Sequence, residues 1–244
     1  MELIFILLIF ITAWLYSSIG HGGASGYLAL MALFGVGTMY MRASALLLNL
    51  FVAGISFAAY YRAGYFRFRL LLPFIIGSMP TAYLGAMIKI DPHIYKIILG
   101  ICLLIAIGRI LYKHWKPENS NYTLKKPHFL TAVLIGIILG FLAGMIGIGG
   151  GIILSPLLIL FKWATIKESS AVSSGFIWLN SLTGLLGTIN TGITIPPEIL
   201  LWILTALTGG WIGSYIGSIK FSNKKLGYIL SVVLVLASIK LMFA

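Results

Sequence analysis

"SSIGHGGASGYLALMALFG", Ser17 to Gly35, interrupts an otherwise apolar chain with four glycines in seven residues: Gly20, Gly22, Gly23 and Gly26. His21 and Ser25 stand among them. Glycine is the poorest helix former after proline. Uninterrupted apolar sequence lies on both sides, so the stretch reads as a deliberate break between two helices. What the break does depends on the solvent around it.

The composition identifies that solvent. The chain has 244 residues, 60% of them hydrophobic and 9% charged, with mean hydropathy +1.05. Charge-free windows of about 17–22 residues recur along it, as membrane-spanning helices require. In hydrocarbon each backbone N–H and C=O must find a partner within the protein, which leaves helices or a closed barrel. Barrel strands alternate polar and apolar residues; "LLLPFIIGSMPTAYLGAMI", Leu70 to Ile88, does not. The expected fold is an all-α polytopic membrane bundle. Only Glu2 precedes the first apolar run, whereas a secretory signal has a basic start, so the run reads as a first helix. The single cysteine, Cys102, excludes an internal disulfide and thiol-pair redox chemistry. The net charge of +12 fits lysine and arginine retained on the cytoplasmic side; without a DNA-reading motif, no nucleic-acid partner is expected.

Charged or turn-rich breaks divide the chain into ten apolar segments: 3–18, 25–41, 43–61, 70–88, 94–112, 129–146, 152–163, 169–189, 198–218 and 226–243. The longest polar stretch, Lys113 to His128, reads as a linker. It separates a first membrane repeat, 1–112, from a second, 129–244. Shifted by 127 residues, Ile19, Gly20, Gly22 and Gly23 fall on Ile146, Gly147, Gly149 and Gly150. Shifted by 128, Gly64 and Gly85 fall on Gly192 and Gly213. A duplicated unit is the simplest account.

The cations choose a topology. If all ten segments cross, twelve lie on one side: Arg62, Arg67, Arg69, Lys113, Lys116, Lys125, Lys126, Lys162, Lys167, Lys220, Lys224 and Lys225. Three lie on the other: Arg42, Lys89 and Lys96. A re-entrant pair at the start of each half has the same parity and the same bias. Either arrangement, with 8–10 membrane segments, makes the halves inverted repeats. It puts the linker in the cytoplasm and both termini outside the cell membrane.

The second glycine cluster, "GMIGIGGGIILSPLL", Gly144 to Leu158, also precedes a short apolar segment. Short or broken half-helices have N-termini inside the membrane, where unbonded N–H groups and the helix dipole favour an anion. Pro156 is expected early in its helix, where its missing N–H does little harm. The candidate substrate-binding residues are Gly20, His21, Gly22, Gly23, Ser25, Gly147, Gly149, Gly150 and Gly151 in the breaks. Asn49, Ser173, Ser174 and Asn180 add side-chain donors from the third and eighth segments. Close helix packing through glycine is the alternative for each cluster. His21 reads equally as an anion donor or proton carrier and as a structural hydrogen bond. Arg42 reads as an outer anchor or a guide for anions. The five acidic residues, Glu2, Asp91, Glu118, Glu168 and Glu198, all fall at expected ends or loops. A cation or proton pump keeps a carboxylate in the membrane, so an anionic substrate is preferred.

These residues resemble a known family. "GIGGGIILSPLLIL", "GHGGASGYLALMALFG", "RASALLLNL" and "AVSSGFIWLNSLTG" are similar to the glycine-rich signatures of the TauE/SafE membrane transporters, and the resemblance covers nearly the whole chain. It implies a multi-pass exporter of sulfite or organosulfonates, with no enzymatic activity and no cofactor or metal. Proton or ion coupling and a homo-oligomer are both compatible with it. The first cluster differs from the second in having His21 against Ile148 and Ala29 against Pro156. Two rival readings remain. "GASG" around Ser25 matches the nucleophile motif of rhomboid-type intramembrane proteases, which needs a general base in reach. A non-transporting membrane scaffold is the other.

Overall fold

A computed structural model describes residues 2–88, 124–190, 192, 195–222, 225, 228 and 229. The expected segment 94–112, nearly all of 226–243, and most of the linker, with Cys102, lie outside these residues. The described chain is helical: α1 Glu2–Ser17, α2 Ala24–Leu33, α3 Thr38–Arg62, α4 Phe68–Met87, α5 Phe129–Ile146, α6 Gly151–Leu160, α7 Ile166–Ile189 and α8 Ile199–Tyr215. A π-helical turn, Ile216–Lys220, continues α8. Among the described residues, five stretches are long and apolar enough to cross a membrane: Tyr40–Arg62, Phe68–Met87, Phe129–Ile146, Ile166–Ile189 and Ile199–Lys220.

Helix ends differ from expectation at several places: the third segment, expected from 43, starts at Thr38, and the seventh, expected to 163, stops at Leu160. The second segment, expected over 25–41, stops at Leu33, and Gly35 then takes a left-handed φ of 72°. The eighth, expected from 169, starts at Ile166. Thr165 and Glu168 form a capping box there: Thr165 Oγ1 accepts from the Glu168 N–H, and the Glu168 carboxylate accepts from the Thr165 N–H.

Contacts along the helices fix their directions. Gly136, Gly140 and Gly144 of α5 press against the backbone of Phe74, Ser78 and Ala82 of α4, so α4 and α5 run parallel. Gly209, Gly213 and Gly217 press against Phe10, Trp14 and Ser18, so α1 and α8 also run parallel. Arg67, before α4, forms an ion pair of 2.5 Å with Glu168 at the start of α7. At the far ends of these two helices Asn190 donates to the Tyr83 hydroxyl at 2.6 Å. Hence α4 and α7 are parallel, and α3 opposes both.

The cations gather accordingly. Besides the Arg67–Glu168 pair, the Lys125 N–H donates to the Lys162 carbonyl at 2.9 Å, and Lys167 Nζ donates to Tyr65 and to the Ser218 carbonyl, both at 3.1 Å. One end of the bundle is therefore basic. Arg42 lies at the other end, where its guanidinium donates to Ala86 and Gly144 carbonyls at 2.7 and 2.5 Å.

Each short helix turns back beside the helix before it. Phe5 near the start of α1 packs on Phe34 just after α2, with ring centroids 5.1 Å apart. Thus α1 and α2 form a hairpin whose outer ends share the Arg42 end of the bundle. Likewise α5 starts and α6 finishes at the basic end, where Lys125 meets Lys162. The two hairpins enter from opposite ends.

The glycines along α4 and α5 bring backbones into direct contact, which in hydrocarbon replaces the missing hydrophobic drive between helices. Gly140→Ala places a Cβ against the Ser78 backbone. We expect it to lower stability by roughly 1–3 kcal/mol, measured as a lower melting temperature in detergent, whereas lipid-facing Leu134→Ala leaves the melt nearly unchanged.

Candidate functional site

The starts of α2 and α6 meet around Asn49, near the middle of α3. Asn49 is residue 12 of α3, and Ile177, beside the second tip, is residue 12 of α7. At 1.5 Å per residue each lies roughly 17 Å from its helix start, near the centre of a ~30 Å hydrocarbon core.

Asn49 uses its whole carboxamide. Oδ1 accepts from the Ala24 N–H, the first residue of α2, at 3.2 Å. Nδ2 donates to the Ile148 carbonyl in the second break at 3.3 Å and to Ser181 Oγ on α7 at 2.8 Å. One side chain thus links both breaks. The flanking glycines make room for it: a Cβ on Gly22 would collide with Oδ1, and one on Gly149 would lie 2.6 Å from Nδ2. Gly22 and Gly149 are the residues matched in the sequence self-comparison.

The other break residues sit around this centre. Gly20 packs on the Ser170 backbone, and its match Gly147 packs on Arg42. Gly23 and Gly150 adopt left-handed φ of 94° and 70° and turn the chain into α2 and α6. Gly151 lies against Ile177 and Ser173. His21 is buried; Nδ1 is 3.0 Å from the Ile19 carbonyl, and Nε2 has no hydrogen-bond partner.

Further hydroxyls close the backbone of the break. Ser56 donates to the Ser17 carbonyl at 3.0 Å and Tyr60 to the Ser18 carbonyl at 2.6 Å, which satisfies the end of α1. With Asn49 they form one face of α3 at spacings of seven and four. Tyr60, four residues beyond Ser56 on that same face, was not among the candidates read from the sequence. Ser155 of α6 donates to Ser173 Oγ at 2.7 Å.

Several expectations are corrected. The Ala24 amide is not bare, because Asn49 takes it. Pro156 is the sixth of ten residues in α6, beyond the first turn, so Ile152 C=O loses its helical donor. Ser174 donates to Ala171 and Asn180 to Phe176, both at 2.8 Å within α7; their donors are turned into their own helix. Asn180 Oδ1 is left without a partner. Ser25 pairs with the Tyr16 hydroxyl at 3.0 Å, and His21 Nδ1 faces Ile19, so the Ser–His contact a serine protease needs is not formed. Arg42 holds the ends of α4 and α5 together.

The electrostatics favour negative charge. The N-termini of α2 and α6 point at one another across Asn49, each carrying about half a positive charge. The described carboxylates, Glu2, Glu168 and Glu198, all lie at helix ends or in a first turn.

The family described as sulfite exporter TauE/SafE matches residues 5–241. The chain belongs to that family. The probable membrane transporter y4hK of Sinorhizobium fredii is 31% identical over 96% of this chain and 95% of its own length. The probable membrane transporter YunE of Bacillus subtilis is 26% identical over 82% of this chain and 79% of its own. No solved structure matches. The protein is a multi-pass membrane transporter of the TauE/SafE family.

Asn49→Ala would strand the Ala24 N–H and the Ile148 C=O. Each buried orphan costs about 1–3 kcal/mol, so the melting temperature is expected to fall clearly below that of Tyr60→Phe, which strands only the Ser18 carbonyl.

Proposed function

We propose that this transporter moves a small oxoanion, sulfite or an organosulfonate, out of the cell by alternating access. The observation that carries the reading is the meeting of two helix N-termini and their glycine breaks around Asn49 at mid-depth. Sulfite and sulfonates present several acceptor oxygens and no donors in their ionised forms. Such a ligand matches backbone N–H groups of the breaks, with His21, Asn49, Ser25 and Ser173 as nearby polar groups. The dipoles of α2 and α6 would both stabilise it. The TauE/SafE family's own description supplies the substrate class.

The halves are read as inverted repeats, 1–112 and 129–244. Supporting this, the left-handed residues Gly20, Gly23, Gly35 and Gly64 recur as Gly147, Gly150, Lys162 and Gly192. Gly85 against Phe141 recurs as Gly213 against Trp14. Opposed hairpins and antiparallel α3 and α7 fit the same scheme. Relative motion of the halves would break the bonds from Asn49 to Ile148 and Ser181 and open the centre to one side. The basic end is assigned to the cytoplasm of the inner membrane by the positive-inside bias, which places the N-terminus outside. An inside-negative potential favours exit of a monovalent anion by about 2.3 kcal/mol per 100 mV, so export needs no further coupling.

Flux into proteoliposomes distinguishes the substrates. Sulfite or a sulfonate is expected to move faster than sulfate or a carboxylate, and movement of none of these anions would remove the reading. Gly149→Val, which fills the space beside Asn49, is expected to reduce flux at least tenfold. Single cysteines placed in loops 62–69 and 190–197 are expected to label from opposite faces of the membrane; labelling from one face contradicts inversion.

A further inference from the structure

A second polar site lies far from the Asn49 centre, at the basic end of the bundle. The starts of α4 and α5, the end of the linker and the α6–α7 turn enclose a cavity of about 480 Å³. Arg67, Arg69, Lys125 and Lys126 line it, together with Phe68, Phe129 and Trp163. Arg67 is balanced by Glu168. Arg69, Lys125 and Lys126 are exposed. Phe68 and Phe129 are each 57% exposed, so an apolar surface continues from the cavity onto the lipid-facing side. Trp163 stacks on Phe161, centroids 4.8 Å apart, as an aromatic pair at the depth where headgroups meet acyl chains.

A soluble anion would use the cations but not the apolar wall. A neutral lipid would use the wall but not the cations. We infer that this cavity binds the phosphodiester headgroup of an anionic phospholipid, with its acyl chains lying along Phe68 and Phe129. Basic pockets between membrane helices on the face with anionic lipids have this chemistry. The site is built from both halves of the chain: Arg69 and Phe68 from the first, Phe129 and Trp163 from the second. The lipid would therefore clamp the halves together at this end, away from the substrate path.

Native mass spectrometry of the full-length protein in detergent tests this, with phosphatidylglycerol and phosphatidylcholine titrated separately. Phosphatidylglycerol is expected to be retained preferentially. The triple variant Arg69→Gln, Lys125→Gln, Lys126→Gln should weaken that retention about fivefold per cation removed at low salt, leaving phosphatidylcholine unaffected. Should the triple variant fail to fold, as judged by its melt, exposed Lys126→Gln alone should give the fivefold loss. Glycerol 3-phosphate, the headgroup without chains, should compete only weakly. Equal retention of the two lipids, or unchanged phosphatidylglycerol binding in the variants, overturns the inference. So does competition by glycerol 3-phosphate at the affinity of the intact lipid, which would make the site one for soluble phosphate esters.

Discussion

A backbone that stops being helical in the middle of a membrane must have each freed N–H and C=O bonded by something other than water. That constraint organises this protein. Two hairpins expose non-helical backbone at mid-depth, and α3 carries the groups that satisfy it. Asn49 takes an amide of one break and gives a hydrogen to a carbonyl of the other. Ser56 and Tyr60 close the end of α1. Arg42, at the start of the same helix, collects carbonyls from the ends of α4 and α5. The helix is a ruler of polar side chains set against the ends of broken ones.

Glycine is what allows this satisfaction to be so local. At Gly22 and Gly149 any side chain would occupy the place of the Asn49 carboxamide. At Gly140 and Gly213 any side chain would push apart helices whose backbones touch. The two roles are physically distinct: the first creates a polar centre, while the second supplies dispersion contact where burial of apolar surface gives no advantage over lipid. Both were compressed into the same residue type, so composition alone could not separate them.

The polar centre and the basic end are also distinct in their electrostatics. At the centre the positive potential comes from backbone dipoles and needs a dry surrounding to matter. At the basic end it comes from exposed side-chain charges, which salt screens.

The sequence by itself determined the class of protein, because only a membrane interior tolerates so much apolar surface, and it located both breaks, because helix interiors exclude clustered glycine. It also marked Asn49, an amide that needs partners in hydrocarbon. It left open where the second segment ends, since apolar residues read alike inside a helix and just past it; the structure stops α2 at Leu33, ahead of the left-handed Gly35. Tyr60, Ser181 and Arg42 gained their roles only in three dimensions, because their partners lie between 42 and 132 residues away along the chain. Ser174 and Asn180 fell on the expected polar face, yet their donors turn back onto α7. Periodicity tells which side of a helix a residue occupies, whereas the bond it makes is chosen by whichever carbonyl the tertiary structure brings nearest.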